Sequence, residues 1–256
     1  MSELLKGQVC LILGIANKWS LAFAVAQAFS REGADLVITY LGEQQKASIE
    51  PLCSELNVIR MVPCDVTNDE EIIALGEDVA KLGRPLQAVV HSLAFANRED
   101  LARPFVETQR EGFLLAQNVS AYSLVAVARA TAPLMTDGGS IMAMTYLGST
   151  RVVSNYNVMG VAKASLEASV RYLAADLGSR NIRVNAISAG PVKTASARAI
   201  KDFPIMLSTA ADRSPLHRNT EPAEVADTAV FLASSLGRGV TGNIIFVDAG
   251  MHIIGL

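Results

Sequence analysis

Metal-binding and disulfide chemistry have little to work with in this chain. Its 256 residues include three cysteines and three histidines. Cys10, Cys53 and Cys64 are odd in number and widely spaced, and Cys10 and Cys64 sit in apolar strand-like runs. This predicts buried free thiols in a reducing, cytoplasmic setting rather than a disulfide framework. His91, His217 and His252 show no ligand spacing with one another or with the cysteines, so no protein-bound metal is expected. Charge is also sparse, at 18% of residues with a net of −3. There is no basic cluster for a nucleic acid. No apolar run is long enough to span a bilayer, and the polar pair Lys6-Gly7 comes too early for a signal peptide. No proline- or serine-rich linker, repeat or low-complexity tract divides the chain.

What is present is apolar and alternating. Half of the residues are hydrophobic, enough for one large core, so residues 1–256 are expected to form a single domain. Strand-like runs occur at Gln8–Gly14, Ala34–Tyr40, Val58–Val66, Gln87–Phe95, Ser140–Leu147, Ile182–Gly190 and Asn243–Gly250, with helical patterns between most of them. Several runs are apolar on both faces, as a buried parallel sheet requires. The pattern predicts an α/β fold: a doubly wound parallel sheet of Rossmann type with helices on both faces. Such folds bind ligands beyond the carboxyl ends of their strands.

The first strand runs into "GIANKWSLA", which lacks a full G-x-G-x-x-G turn. Gly14 permits a tight exit, and small Ser20 and Ala22 let a pyrophosphate approach a helix N-terminus. Ser20 is the expected N-cap of this helix, and Gly33 its C′ residue. On its own this is a weak signal.

A second stretch, "NYNVMGVAK", separates Tyr156 from Lys163 by seven positions. In a helix that spacing leaves the two side chains about 20° apart around the axis and about 10 Å along it. Gly160 falls between them on the same face. It costs a helix roughly 1 kcal/mol against alanine and leaves a notch into which a flat group would fit. On this stretch alone, a half-buried tyrosine and a solvated lysine are the better explanation of the spacing.

Several motifs occur together in order: "GIANKWSLA", "CDV", "HSLAFA", "TYLG", "NYNVMGVAKASLEASVRYLA" and "RVNAISAGPVKT". Along essentially the whole chain they resemble the enoyl-acyl-carrier-protein reductases, a subgroup of the short-chain dehydrogenase/reductase superfamily. The superfamily at large shows Tyr-x-x-x-Lys with an upstream serine. This chain has six residues between Tyr156 and Lys163, with Tyr146 upstream.

The resemblance implies NADH-dependent reduction of the trans-2 double bond of an acyl thioester carried on acyl carrier protein. It implies that Tyr156 donates to the developing enolate oxygen, that Tyr146 lines the same pocket, and that Lys163 holds the nicotinamide ribose. Cofactor contacts carry over to Gly14, Ser20 and Leu21, to Asp65 and Val66, to Leu93, and to Val192 and Thr194. Substrate contacts carry over to Ala96, Tyr146, Tyr156 and Met159. A lid at about 194–213 carries Ile200, Phe203 and Met206 over the acyl chain. Ala94 stands where a glycine would be expected. Arg198, Lys201 and Arg213 are cations for an acidic carrier protein, and the apolar tail "DAGMHIIGL" suits an interface in a homotetramer.

The end of the second strand, "TYLGEQQK", offers Glu43 as its nearest charge and no cation before Lys46, which favours NADH over NADPH despite Lys18 in the first turn. Two other readings remain open. A carbonyl reductase of the same superfamily is disfavoured by the missing serine and the longer spacing. A dinucleotide-binding protein without turnover is disfavoured by the joint presence of Tyr146, Tyr156 and Lys163.

Overall fold

The computed structural model describes residues 3–194 and 203–255. Each of the seven strand-like runs forms a strand: β1 (Val9–Leu13), β2 (Asp35–Tyr40), β3 (Val58–Pro63), β4 (Leu86–His91), β5 (Gly139–Thr145), β6 (Ile182–Ala189) and β7 (Ile244–Val247). They pair in parallel throughout, in the order β3-β2-β1-β4-β5-β6-β7. The expected doubly wound parallel sheet is therefore present.

Alternation along the strands feeds two cores. Cys10 and Ile12 of β1 pack on one face with Phe29 of α1 (Leu21–Arg31) and Val225 of α9 (Pro222–Ala233). Val9, Leu11 and Leu13 turn to the other face. There they meet Leu75 of α3 (Asp69–Ala80), Leu124 of α6 (Ser123–Thr131) and Leu166 of α7 (Asn157–Leu177). Burying each such aliphatic side chain contributes about 1.5–3 kcal/mol. All three cysteines are buried and unpaired.

Helix α1 shows how local chemistry sets the element ends. After the C-cap Glu32, Gly33 takes the left-handed conformation at φ +84°. The Gly33 N–H donates to Ser30 O (3.0 Å) and the Ala34 N–H to Phe29 O (3.0 Å), closing a Schellman motif. At the other end Ser20 occupies the N-cap, as expected, but its hydroxyl donates back to Asn17 O (2.6 Å) and caps no helix N–H.

Strand order reverses at β1, which has β2 on one side and β4 on the other, so a crevice opens at the carboxyl ends of β1 and β4. Two short helices follow β4: α4 (Arg98–Ala102) and α5 (Arg110–Gln117). A π-helical turn over Asn118–Tyr122 joins α5 to α6. It presents buried Ser120, whose hydroxyl accepts from Phe95 N (3.0 Å) and so fixes the loop leaving β4. The remaining helices are α2 (Gly42–Cys53) and α8 (Phe203–Arg213).

Candidate active site

The crevice is a cleft of about 1310 Å³ that runs from the end of β2 to the start of α7 and α8. Gly14 lines it at the exit of β1, with φ +102°. A Cβ there would collide with the carbonyl of Ser92, so glycine is required both by conformation and by the closeness of β4. Ser20 and Leu21 line the same stretch at the N-terminus of α1. The first-turn N–H groups of a helix have no carbonyl one turn earlier, and the Ser20 side chain does not take them. These features fit an anionic pyrophosphate.

Tyr146 directly follows β5, and Tyr156 immediately precedes α7. Their rings meet edge to face with centroids 5.0 Å apart. The Tyr146 hydroxyl donates to Met206 Sδ (3.5 Å) on α8. Burial, and then Asp248, push the Tyr146 phenol up to about 12. Burial first, then Tyr146 and Glu167, raise Tyr156 well above the usual phenol range. Both therefore stay protonated at neutral pH and remain hydrogen-bond donors.

Two expectations about this stretch need correction. Tyr156 and Lys163 do not share a regular helical face. Tyr156 lies outside α7, between Asn155 (φ +61°) and Asn157 (φ +37°), and left-handed backbone on both sides rules out a continuous helix there. Asparagine tolerates this conformation better than most residues. Nor is Gly160 a notch for the cofactor, because its open side is already filled. A Cβ at Gly160 would lie 2.7 Å from Gly148 O, in the tight turn Leu147–Ser149, and a Cβ at Gly148 would strike the Tyr156 ring. The two glycines let the turn after Tyr146 seat against α7 and Tyr156.

Lys163 is buried at 4% exposure. Its ammonium donates to Met144 O (2.8 Å) and Leu93 O (3.4 Å). An ammonium has three donors, so one remains for a ligand. Burial lowers its pKa to about 8, and the carboxylate of Glu167, one turn further along α7, opposes the fall. Glu167 is itself buried and accepts from the Thr145 hydroxyl (2.6 Å). His91, at the end of β4, is fully buried with Nε2 2.7 Å from Ser123 Oγ. Since that hydroxyl donates to Val119 O (2.7 Å), it accepts from His91, which assigns the Nε2–H tautomer. Burial, then the Lys163 charge, holds the imidazole down to about 3, so it is neutral.

Comparison with known proteins bears directly on this arrangement. A family model described as Enoyl-(Acyl carrier protein) reductase matches residues 14–252. The chain belongs to this family. It is 53% identical to an NADH enoyl-acyl-carrier-protein reductase, FabI, of Bacillus cereus, across 99% of this chain and 100% of that one. It is 51% identical to an NADPH FabI of Staphylococcus aureus, across 98% of each. The crystal structure of the Bacillus cereus enoyl-acyl carrier protein reductase with NADP+ and indole naphthyridinone superposes with a TM-score of 0.97, covering 100% of both chains.

Within the family fold, the sequence-derived site residues converge. Asp65 and Val66, after β3, and Leu93, after β4, line the cleft, with Val192 and Thr194 beyond β6. Val66 and Leu93 also pack into the core beneath it. Ala94 and Ala96 line the far half together with Tyr146, Tyr156, Met159, Phe203 and Met206. Ile200, Arg198 and Lys201 lie outside the described residues, as does the whole stretch 195–202 of the expected lid. Pro204 is the second described residue of α8.

Sequence reasoning missed Glu167, Thr145, His91 and Asn157. Glu167 had a legible signal, four residues after Lys163 and therefore beside it on a helix. The other three depend on tertiary contacts. Among the described residues no group of His, Cys, Asp and Glu is arranged to hold a metal, and no helix is long and apolar enough to cross a membrane.

Proposed function

We infer that this chain is an NADH-dependent enoyl-acyl-carrier-protein reductase of fatty-acid elongation. The observation that carries the reading is the meeting of Tyr146, Tyr156 and Lys163 at one end of a cleft whose other end suits a dinucleotide, in a chain of the reductase family.

In this reading, Gly14, Ser20 and Leu21 receive the pyrophosphate. Asp65, Val66 and Leu93 border the adenosine, while Val192 and Thr194 border the nicotinamide half. The spare N–H of Lys163 takes the ribose hydroxyls. A bound dihydronicotinamide supplies the hydride that the β-carbon of the enoyl thioester receives. Negative charge then develops on the thioester oxygen. Tyr156, kept protonated by its burial, donates to that oxygen, and an aimed donor of this kind is typically worth about 10²–10³ in rate. Tyr146 supports the Tyr156 ring edge to face and bounds the pocket. The Lys163 ammonium adds a favourable charge nearby. Ala96, Met159, Phe203 and Met206 exclude water from the acyl chain, with Ile200 joining them on a lid at about 194–213.

The partner is acyl carrier protein, met by cations such as Arg213, Arg198 and Lys201. The assembly is a homotetramer in the cytoplasm, built on one domain per chain. Exposed Ile253 and Ile254 beside the edge strand β7 support an interface there.

Deuterium transfer tests the reaction. With NADH labelled at C4, a trans-2-enoyl thioester should yield a saturated acyl product carrying deuterium at C3. A 3-hydroxyacyl product from a 3-ketoacyl thioester, with no transfer to the enoyl substrate, would instead make this chain a carbonyl reductase.

A further inference from the structure

Asn157 is used by none of the steps above, yet it joins two walls of the cleft. Its side-chain nitrogen lies 2.9 Å from Leu101 O and 2.7 Å from Arg103 O, with Asp100 O at 3.5 Å. The acceptors are carbonyls, so the NH₂ group must face them, and its two hydrogens satisfy the two short contacts. These carbonyls belong to the end of α4. A five-residue helix leaves its last carbonyls without intrahelical partners. The segment they close lines the acyl half of the cleft through Asp100, Leu101 and Arg103. Beneath the clasp, Leu101 packs with Val158 and Met159 of α7 and Ala116 of α5 in a small core separate from the two main ones. The backbone of Asn157, at φ +37°, also helps to hold Tyr156 outside the helix.

We propose that Asn157 is a positioning residue for the acyl substrate: its amide clamps the α4 wall to the backbone that carries Tyr156, so that wall and donor keep a fixed separation. This rests on the reductase reading. The clamp's residues are not among those that meet the pyrophosphate and adenosine in this reading, which are Gly14, Ser20, Leu21, Asp65, Val66 and Leu93.

Three variants separate amide from backbone. Asn157→Gly keeps the left-handed conformation freely and loses the amide. Asn157→Asp keeps the shape and turns two donors into a carboxylate facing carbonyl oxygens. Asn157→Ala loses both features. The glycine and aspartate variants should raise KM for a trans-2-enoyl thioester roughly tenfold or more, the scale expected when two hydrogen bonds of about 0.5–1.5 kcal/mol each are lost. Their NADH Kd should stay within about twofold of the parent. Asn157→Ala should lower kcat as well, because Tyr156 is then misplaced.

Hydrogen exchange provides a readout that needs no turnover. Amides of residues 98–103 should exchange faster in Asn157→Gly than in the parent, while those of α1 should not change. Parent-like exchange and KM in Asn157→Gly would overturn the proposal and leave Asn157 a purely backbone role. Faster exchange in a protein whose parent form does not reduce enoyl thioesters would uphold the clamp and remove the reductase reading instead.

Discussion

The chemistry assigned to this site depends on three side chains held in unusual protonation environments. Tyr156→Phe removes the donor and keeps the ring that packs on Gly148, so turnover should fall about 10²–10³-fold while NADH affinity is unchanged. Single-turnover kinetics beside a calorimetric titration would separate the two effects. Lys163 gives a pH-dependent counterpart. Its folded pKa, about 8, lies below its ordinary value. The ammonium is therefore present below pH 8 and lost as pH rises through that value, and apparent NADH affinity should weaken on the alkaline side. Glu167 opposes the lowering, so Glu167→Gln, which retains an acceptor for Thr145, should move the falling limb to lower pH. An unmoved limb would show that Glu167 does not act on Lys163. Tyr146, Tyr156 and Lys163 were named through the family resemblance, and all three line the cleft. Their shifted titration was not legible in the sequence, because burial by α7 and β5 produces it.

At the scale of elements, the strands were the most legible feature. Apolar runs such as Val9–Leu13 and Ile182–Ala189 are buried along nearly their whole length, so composition alone marks them. The start of α7 was not legible in the same way. Helical periodicity extends back through Tyr156, but the tertiary demand to seat its ring on Gly148 bends the backbone into left-handed conformations at Asn155 and Asn157. Gly160 was misread for a related reason: a missing side chain looks the same in sequence whether it admits a ligand or a neighbouring backbone. The structure changes what Gly160→Leu should do. The new side chain meets the Gly148 carbonyl and pushes the Leu147–Ser149 turn away, displacing Tyr146 and Tyr156. Overpacking of this kind costs about 1–3 kcal/mol. The melting temperature should fall by several degrees, and kcat should fall more than NADH affinity. Loss of NADH binding at unchanged stability would restore the cofactor notch.

At the scale of the whole molecule, one cleft runs from the ends of β2 and β3 to the tyrosine pair at the start of α7. Similarity does not choose the nicotinamide cofactor, because relatives named for NADH and for NADPH stand at 53% and 51% identity. The end of β2 does favour one. Leu41 and Gln45 line the cleft there, and Gln45 is occupied by Leu41 N and by Ile15 O (3.2 Å). Lys46 pairs with Glu43 (3.8 Å), and Lys18 lies over the Trp19 ring at 4.5 Å. Neither lysine lines the cleft. With neither lysine positioned for a 2′-phosphate, NADH should be preferred at least about tenfold in kcat/KM at fixed ionic strength. A preference for NADPH would place Lys18 or Lys46 on the phosphate. The central claim is that the tyrosine pair and Lys163 serve an enoyl thioester rather than a ketone. The most direct measurement is kcat/KM for a trans-2-enoyl and a 3-ketoacyl thioester on the same carrier, with NADH saturating. A value at least about a hundredfold higher for the enoyl substrate, the scale of one aimed oxyanion donor, is predicted. Equal values, or a higher one for the ketoacyl substrate, would contradict it.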